Sequence, residues 1–185
     1  MCLWVIFAMI NVSKFWKDDL LKLAEKLTLR LVQKRWGEKN IYTLEKDIFL
    51  GFYSVRKLIE SRKISDSVKN QNYKVRKINF SGDPDKIIPS SVDSDYDLVS
   101  STEIHTLNTI QICNQFIHSY YFVPFFPTGT SPVGFFVCSD FDKKNCIYFI
   151  TIFDVVEIFK TVGENYPTTM TIEKLQNGKI RTKIE

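Results

Sequence analysis

The sequence predicts an α+β fold: an N-terminal helical hairpin and a third helix packed with a C-terminal antiparallel sheet. Three observations carry that reading. Apolar residues recur every three or four positions through the first third, the period changes to strand-like alternation in the last third, and turn residues punctuate the change. A chain of 185 residues that is 44% hydrophobic, 14% aromatic and 25% charged has the material for one full core. The expected organisation is a single domain over 1–185, helical over about 13–120 and β-rich over about 121–185.

Ser13 is the expected cap of a first helix over 13–36. Its stripe is Trp16, Leu20, Leu23, Ala24, Leu27 and Leu31, with Gly37 as the stop. Lys17, Lys22, Lys26, Arg30 and Lys34 form the opposite face and read as solvated. Thr43 opens a second helix over 43–62, with Leu44, Ile48, Phe52, Val55 and Ile59 inward, and the short connection folds the two into a hairpin. Residues 73–80 alternate in part and read as a strand. The stretch 81–100 holds Gly82, Pro84, Pro89 and several serines and reads as a surface loop. Its Asp93, Asp95 and Asp97 lack the glycine and closing glutamate of a calcium loop, so they read as solvated.

Ser100 to Glu103 has the form of a capping box, which predicts a third helix over 101–119 with Ile104, Leu107, Ile110 and Ile117 inward and Pro124 and Pro127 beyond it. Residues 134–138 and 146–152 are rich in Val, Ile, Phe and Tyr and form a hairpin around a polar segment. A short helix follows over 154–162. A second hairpin over 169–184 turns at Asn177-Gly178, a pair suited to a tight turn with positive φ.

Charge and cysteine usage exclude several classes. The net charge of +4 permits RNA contact without arguing for it. Cys2, Cys113, Cys138 and Cys146 have no metal-ligand spacing, and His105 and His118 are the only histidines, so no metal and no cofactor are expected. Cys138 and Cys146 flank the first hairpin loop and stay thiols in a reducing compartment. The apolar run 1–10 is too short to span a bilayer and has neither the basic start nor the cleavage site of a signal peptide. Met9 is an alternative start. A cytoplasmic protein without a membrane role is the expectation.

Two constellations are candidates for chemistry. Asn114 and His118 are four apart, which puts them one turn apart on one helical face, where burial with apolar neighbours is expected. An imidazole there can exchange protons near neutral pH, or simply satisfy a backbone carbonyl or the Asn114 side chain. The second candidate is the basic run Arg56, Lys57, Arg62, Lys63, Lys74, Arg76 and Lys77 with Tyr73 and Phe80, in which cations hold phosphates and rings stack bases. Its plain alternative is a solvated helix end followed by a half-buried strand. No Walker loop, nucleophile elbow or dinucleotide fingerprint is present.

The segment Cys113-Asn114-Gln115-Phe116-Ile117-His118 resembles the motif of HEPN-domain ribonucleases. That family pairs an arginine, often followed by a polar residue, with a histidine a few positions on. Asn114 and His118 match, and Cys113 holds the place of the arginine. The resemblance implies a helical bundle that dimerises at the motif and cleaves RNA without metal. Two functional readings stand ahead of a third, an enzyme with an unrecognised site. One is a non-catalytic interaction or regulatory subunit, of a bacterial toxin–antitoxin or anti-phage defence module, with a protein partner or a second copy of itself. The other is a HEPN-like, metal-independent ribonuclease with a degenerate active site. Phe122, Phe125, Phe126, Phe135 and Phe136 give the first reading its substance, as core or as interface.

Overall fold

A computed structural model describes residue 10 and residues 12–87, 92–98, 103–127, 131–175 and 177–185. The first helix, α1 (Ser13–Arg30), buries Leu20, Ala24 and Leu27 and stops earlier than its apolar stripe predicts. From Leu31 to Gln33 the amides bond three residues back, at 3.2–3.3 Å, so the helix tightens and ends. Ser13 is its first residue and makes no cap. Gly37, expected to stop α1, is the N-cap of α2 (Glu38–Glu60). Thr43 lies inside α2, where its hydroxyl donates to the Lys39 carbonyl at 2.7 Å. The stripe of α2 is buried as predicted at Leu44, Ile48, Phe52 and Val55, while Leu58 takes the buried place expected for Ile59, which is partly buried.

A short helix α3 (Asp66–Lys69) leads into β1 (Asn72–Asn79). Part of the acidic stretch is the one-turn helix α4 (Val92–Asp95); Asp93 and Asp97 are exposed as expected, whereas Asp95 is buried. Its carboxylate accepts the Tyr121 hydroxyl at 2.6 Å, and its carbonyl accepts the amides of Ser81 and Gly82. Buried polar atoms need such partners, and these hold the segment down.

The predicted third helix divides in two. Residues 103–108 are a strand, β2 (Glu103–Asn108), and only then does α5 (Thr109–Ile117) begin. The capping box is Asn108 with Gln111, at 2.8 and 2.9 Å, not the serine–glutamate pair, of which 100–102 lie outside the described residues. Pairing with β1 (Val75 opposite His105, Tyr73 opposite Leu107) extends a segment whose own period suits a helix.

Strands β3 (Ser119–Phe125), β4 (Gly134–Ser139) and β5 (Cys146–Thr151) follow, then α6 (Ile152–Glu164) and the hairpin of β6 (Met170–Lys174) with β7 (Ile180–Ile184). The fold is α+β, with helices packed on an antiparallel sheet. The five-stranded sheet has the order β2-β1-β5-β4-β3, so it takes in β1, expected as a strand, and β2, expected as helix, besides strands of the last third. The last hairpin is a separate two-stranded sheet with Gly178 at φ +78° in its turn, a left-handed value glycine adopts without penalty.

Alternation along the strands builds two cores. Tyr73, Val75, Phe135, Val137, Tyr148 and Ile150 face α1, α2, α5 and α6, where Phe52 stacks on Phe116 with ring centres 4.1 Å apart. Ile78, Tyr121, Phe136, Cys138, Ile147 and Phe149 face the other way and are joined by Val92 and Tyr96. Covered on both sides, β4 is buried at every position and β5 at all but Thr151. The aromatic cluster is therefore largely core: Phe135 and Phe136 are buried, Phe122 packs on Phe135 and Phe49, and Phe126 meets Trp36; Phe125 remains exposed.

Candidate functional site

Asn114 and His118 lie on α5 one turn apart, as their spacing requires. Arg56 reaches Asn114 from α2: its Nη1 donates to Asn114 Oδ1 at 2.6 Å while its Nε donates to Glu60 at 2.7 Å. A guanidinium thus stands beside Asn114, supplied from a residue far away in sequence. Cys113 faces inward instead, its thiol donating to the Phe52 carbonyl at 3.3 Å and pushed up to about 12 by burial.

His118 departs from its expected burial. It is the C-cap of α5 and is exposed, because the helix ends there and β3 begins at the next residue. Its amide donates to the Asn114 carbonyl at 3.1 Å and its carbonyl accepts the Asp140 amide at 2.8 Å. Gln115, unnoticed in the sequence, is the buried polar residue of this helix; it donates to Asp142 at 2.7 Å and accepts the Ser139 amide at 2.8 Å. His105 is a β2 residue, with its ring 6.0 Å from that of Tyr148.

The basic run spreads over three elements. Arg56 and Lys57 share Glu60 on α2, and Arg62 and Lys63 form the turn beyond it. Lys74, Arg76 and Lys77 lie on β1, with Arg76 4.5 Å above the Phe149 ring and Lys77 4.0 Å from Glu103. Tyr73 points into the helical core, its phenol pushed up to about 12 by burial, and Phe80 packs on Tyr96. The buried Tyr73 ring is not free to stack a base, and Phe80 is partly buried.

Two features were missed by reading the chain. The first is a cavity of about 490 Å³ between the start of α1, the end of α2 and the segment before β6. Lys17, Ser61, Arg62, Lys63, Tyr166 and Met170 line it, and no carboxylate is among its described lining residues. Lys17 was expected on a solvated face but is buried, with its ammonium donating to the Asn165 carbonyl and 4.0 Å from the Tyr166 ring centre. Desolvation, then the Lys63 charge, lowers it to about 8.

The second feature is apolar. Leu29 (69% exposed), Val32 (75%), Ile41 (37%) and Tyr42 (62%) occupy the end of α1, the connection and the first turn of α2. Together they form the tip of the helical hairpin.

Among the described residues no group of His, Cys, Asp and Glu could hold a metal ion, and no helix is long and apolar enough to cross a membrane. Cys113, Cys138 and Cys146 are free and buried. Comparison with known proteins gives no match: no protein-family model, no curated protein and no solved structure corresponds to the chain.

Proposed function

We propose that the chain is a non-catalytic interaction or regulatory subunit that engages a protein partner, or a second copy of itself, through the tip of its helical hairpin. The exposed Leu29, Val32, Ile41 and Tyr42 carry this reading. Scattered apolar residues on a surface are ordinary, but four within fourteen positions at one end of a hairpin are a concentration, and concentrated apolar exposure marks interaction sites. Covering a fully exposed side chain of this size is worth about 1.5–3 kcal/mol, and the part still exposed on each of the four contributes in proportion. A toxin–antitoxin or anti-phage defence module is the setting we propose, on the HEPN resemblance of residues 113–118.

A photo-crosslinking residue at Val32 or Tyr42 tests it in the producing cell, with Lys160 on α6 as the exposed control. A discrete crosslinked species at the first two positions and none at the third is the expected result. A monomer by light scattering together with no discrete species at Val32 or Tyr42 contradicts the proposal.

The contact of Arg56 with Asn114 favours a second reading, a metal-independent ribonuclease with HEPN-like chemistry. Here Arg56 supplies the cation that Cys113 does not, and His118 is the exchangeable acid–base group. Lys74, Arg76 and Lys77, with Arg62, would hold RNA phosphates, and binding would weaken steeply with salt. RNA cleavage that persists in a chelator and falls about 10²–10⁴-fold in His118→Ala supports it. No cleavage by the intact chain ends it.

A further inference from the structure

We propose that the cavity between α1, the end of α2 and the 166–170 segment binds a phosphomonoester of mononucleotide size, a function separate from the hairpin tip. Lys17, Arg62 and Lys63 converge on it from two elements, without a lining carboxylate among the described residues. Like charges gathered in a cavity repel one another and focus a field that favours an anion.

A second observation is independent of charge. Ser61 is 4% exposed, lines the cavity, and its buried hydroxyl has no hydrogen-bond partner among the described residues. Buried hydroxyls are nearly always partnered, and a phosphate oxygen is a suitable acceptor.

The backbone adds a third. Arg62 has φ 58°, the left-handed conformation, in a turn where the Arg62 amide bonds the Ile59 carbonyl and the Lys63 amide the Leu58 carbonyl. Helices commonly close this way, with glycine at the left-handed position. Arginine there is strained, and Arg62 lines the cavity; such strain gathers at functional sites.

Cations beyond a helix C-terminus are also favoured by the helix dipole, which accounts for Arg62 and Lys63. It does not account for Lys17, buried from another helix, or for Ser61. Arg62 also borders an adjoining groove with Glu60 and Asp66, but those carboxylates are engaged by Arg56 and Lys57 and by the Ile184 amide.

The ligand class follows from size and walls. About 490 Å³ is within the range of small-molecule sites and exceeds what a bare phosphate fills. Tyr166, Pro167, Met170 and Ile184 line the remainder and suit an organic group; the half-exposed Tyr166 ring carries the Lys17 ammonium 4.0 Å from its centre.

Titration calorimetry of the full chain at low salt tests this with AMP, GMP, CMP, UMP, inorganic phosphate and adenosine. At least one nucleotide is expected to bind, phosphate more weakly and adenosine not at all. Ser61→Ala and Arg62→Gly should each weaken nucleotide binding about tenfold, the worth of one charge-assisted hydrogen bond. Both free variants should melt at or above the wild-type temperature, because one removes an unpartnered hydroxyl and the other a strained turn. No binding by any nucleotide, binding by inorganic phosphate alone, equal binding of adenosine and AMP, or unchanged affinity in both variants overturns the proposal.

Discussion

The hydroxyl of Tyr121 donates a buried 2.6 Å hydrogen bond to Oδ2 of Asp95, tying an edge strand of the sheet to the acidic segment that covers it. The segment is also held by a bridge between Phe80 and Tyr96, by the Asp95 carbonyl, and by the Tyr96 hydroxyl, which donates to the Lys143 carbonyl. Tyr121→Phe leaves a buried carboxylate without this donor and should cost about 1.5–3 kcal/mol. A chemical-denaturation midpoint equal to wild type would show that the bond contributes nothing.

Gly51 is where α2 meets the Phe159 ring of α6; a Cβ there would stand 2.2 Å from the ring. The ring is fully buried and lies edge-on to Phe52 at 5.2 Å, so it cannot move aside freely. Gly51→Ala should destabilise by about 1–2 kcal/mol, overpacking outweighing the better helix propensity of alanine. The melting temperature should fall by about 3–6 °C, and a rise would contradict the packing argument.

Much of this was legible in the sequence. The stripes of α1 and α2 are local patterns, and the residues predicted to point inward from Leu20 to Leu27 and from Leu44 to Val55 do so. The strand at 72–79 showed in the alternation of Tyr73 and Val75. What failed was decided by distant parts of the chain. Residues 103–108 become a strand because β1 lies beside them, and Lys17 is buried because Asn165 and Tyr166 arrive from the far side of α6. Arg56 reaches Asn114 in the same way, and no spacing rule within one segment announces it.

Lys17 makes stability depend on pH with a defined sign. Its folded pKa of about 8 is below the ordinary 10.5, so between these values the unfolded chain holds more protons. Stability from this group therefore rises with pH over that window, while below about pH 8 the cost of burying the charge is fully present. Lys63 and Tyr166 face the ammonium, and no described carboxylate lines the cavity. Melting of wild type and Lys17→Met at pH 7 and pH 10 should show the difference moving in favour of wild type at the higher pH. A constant difference would mean that Lys17 titrates as it does in water.

His118 and Cys113 should respond in opposite ways. With His118 exposed, His118→Ala should change stability by less than about 0.5 kcal/mol, so any lost RNA cleavage would report chemistry rather than unfolding. Cys113→Arg, which restores the HEPN-like arginine, places a charge beside Phe52 in the core and should cost about 3 kcal/mol or more. A well-folded Cys113→Arg variant by circular dichroism and melting would refute that placement.

The strand order has a consequence for how the chain is made. β5 pairs with β1 on one side and β4 on the other, so it joins two ribbons, β1–β2 and β3–β4, that have no other connection within the sheet. During synthesis both ribbons leave the ribosome first, each a two-stranded unit that is marginal alone in water. The sheet can close only when residues 146–151 emerge, and until then Phe136 and Tyr148's future neighbours on β1 lie open to solvent or to other chains. Folding should therefore be slow for a chain with so much local helix, and a nascent chain stalled before Cys146 should be the form most in need of a chaperone.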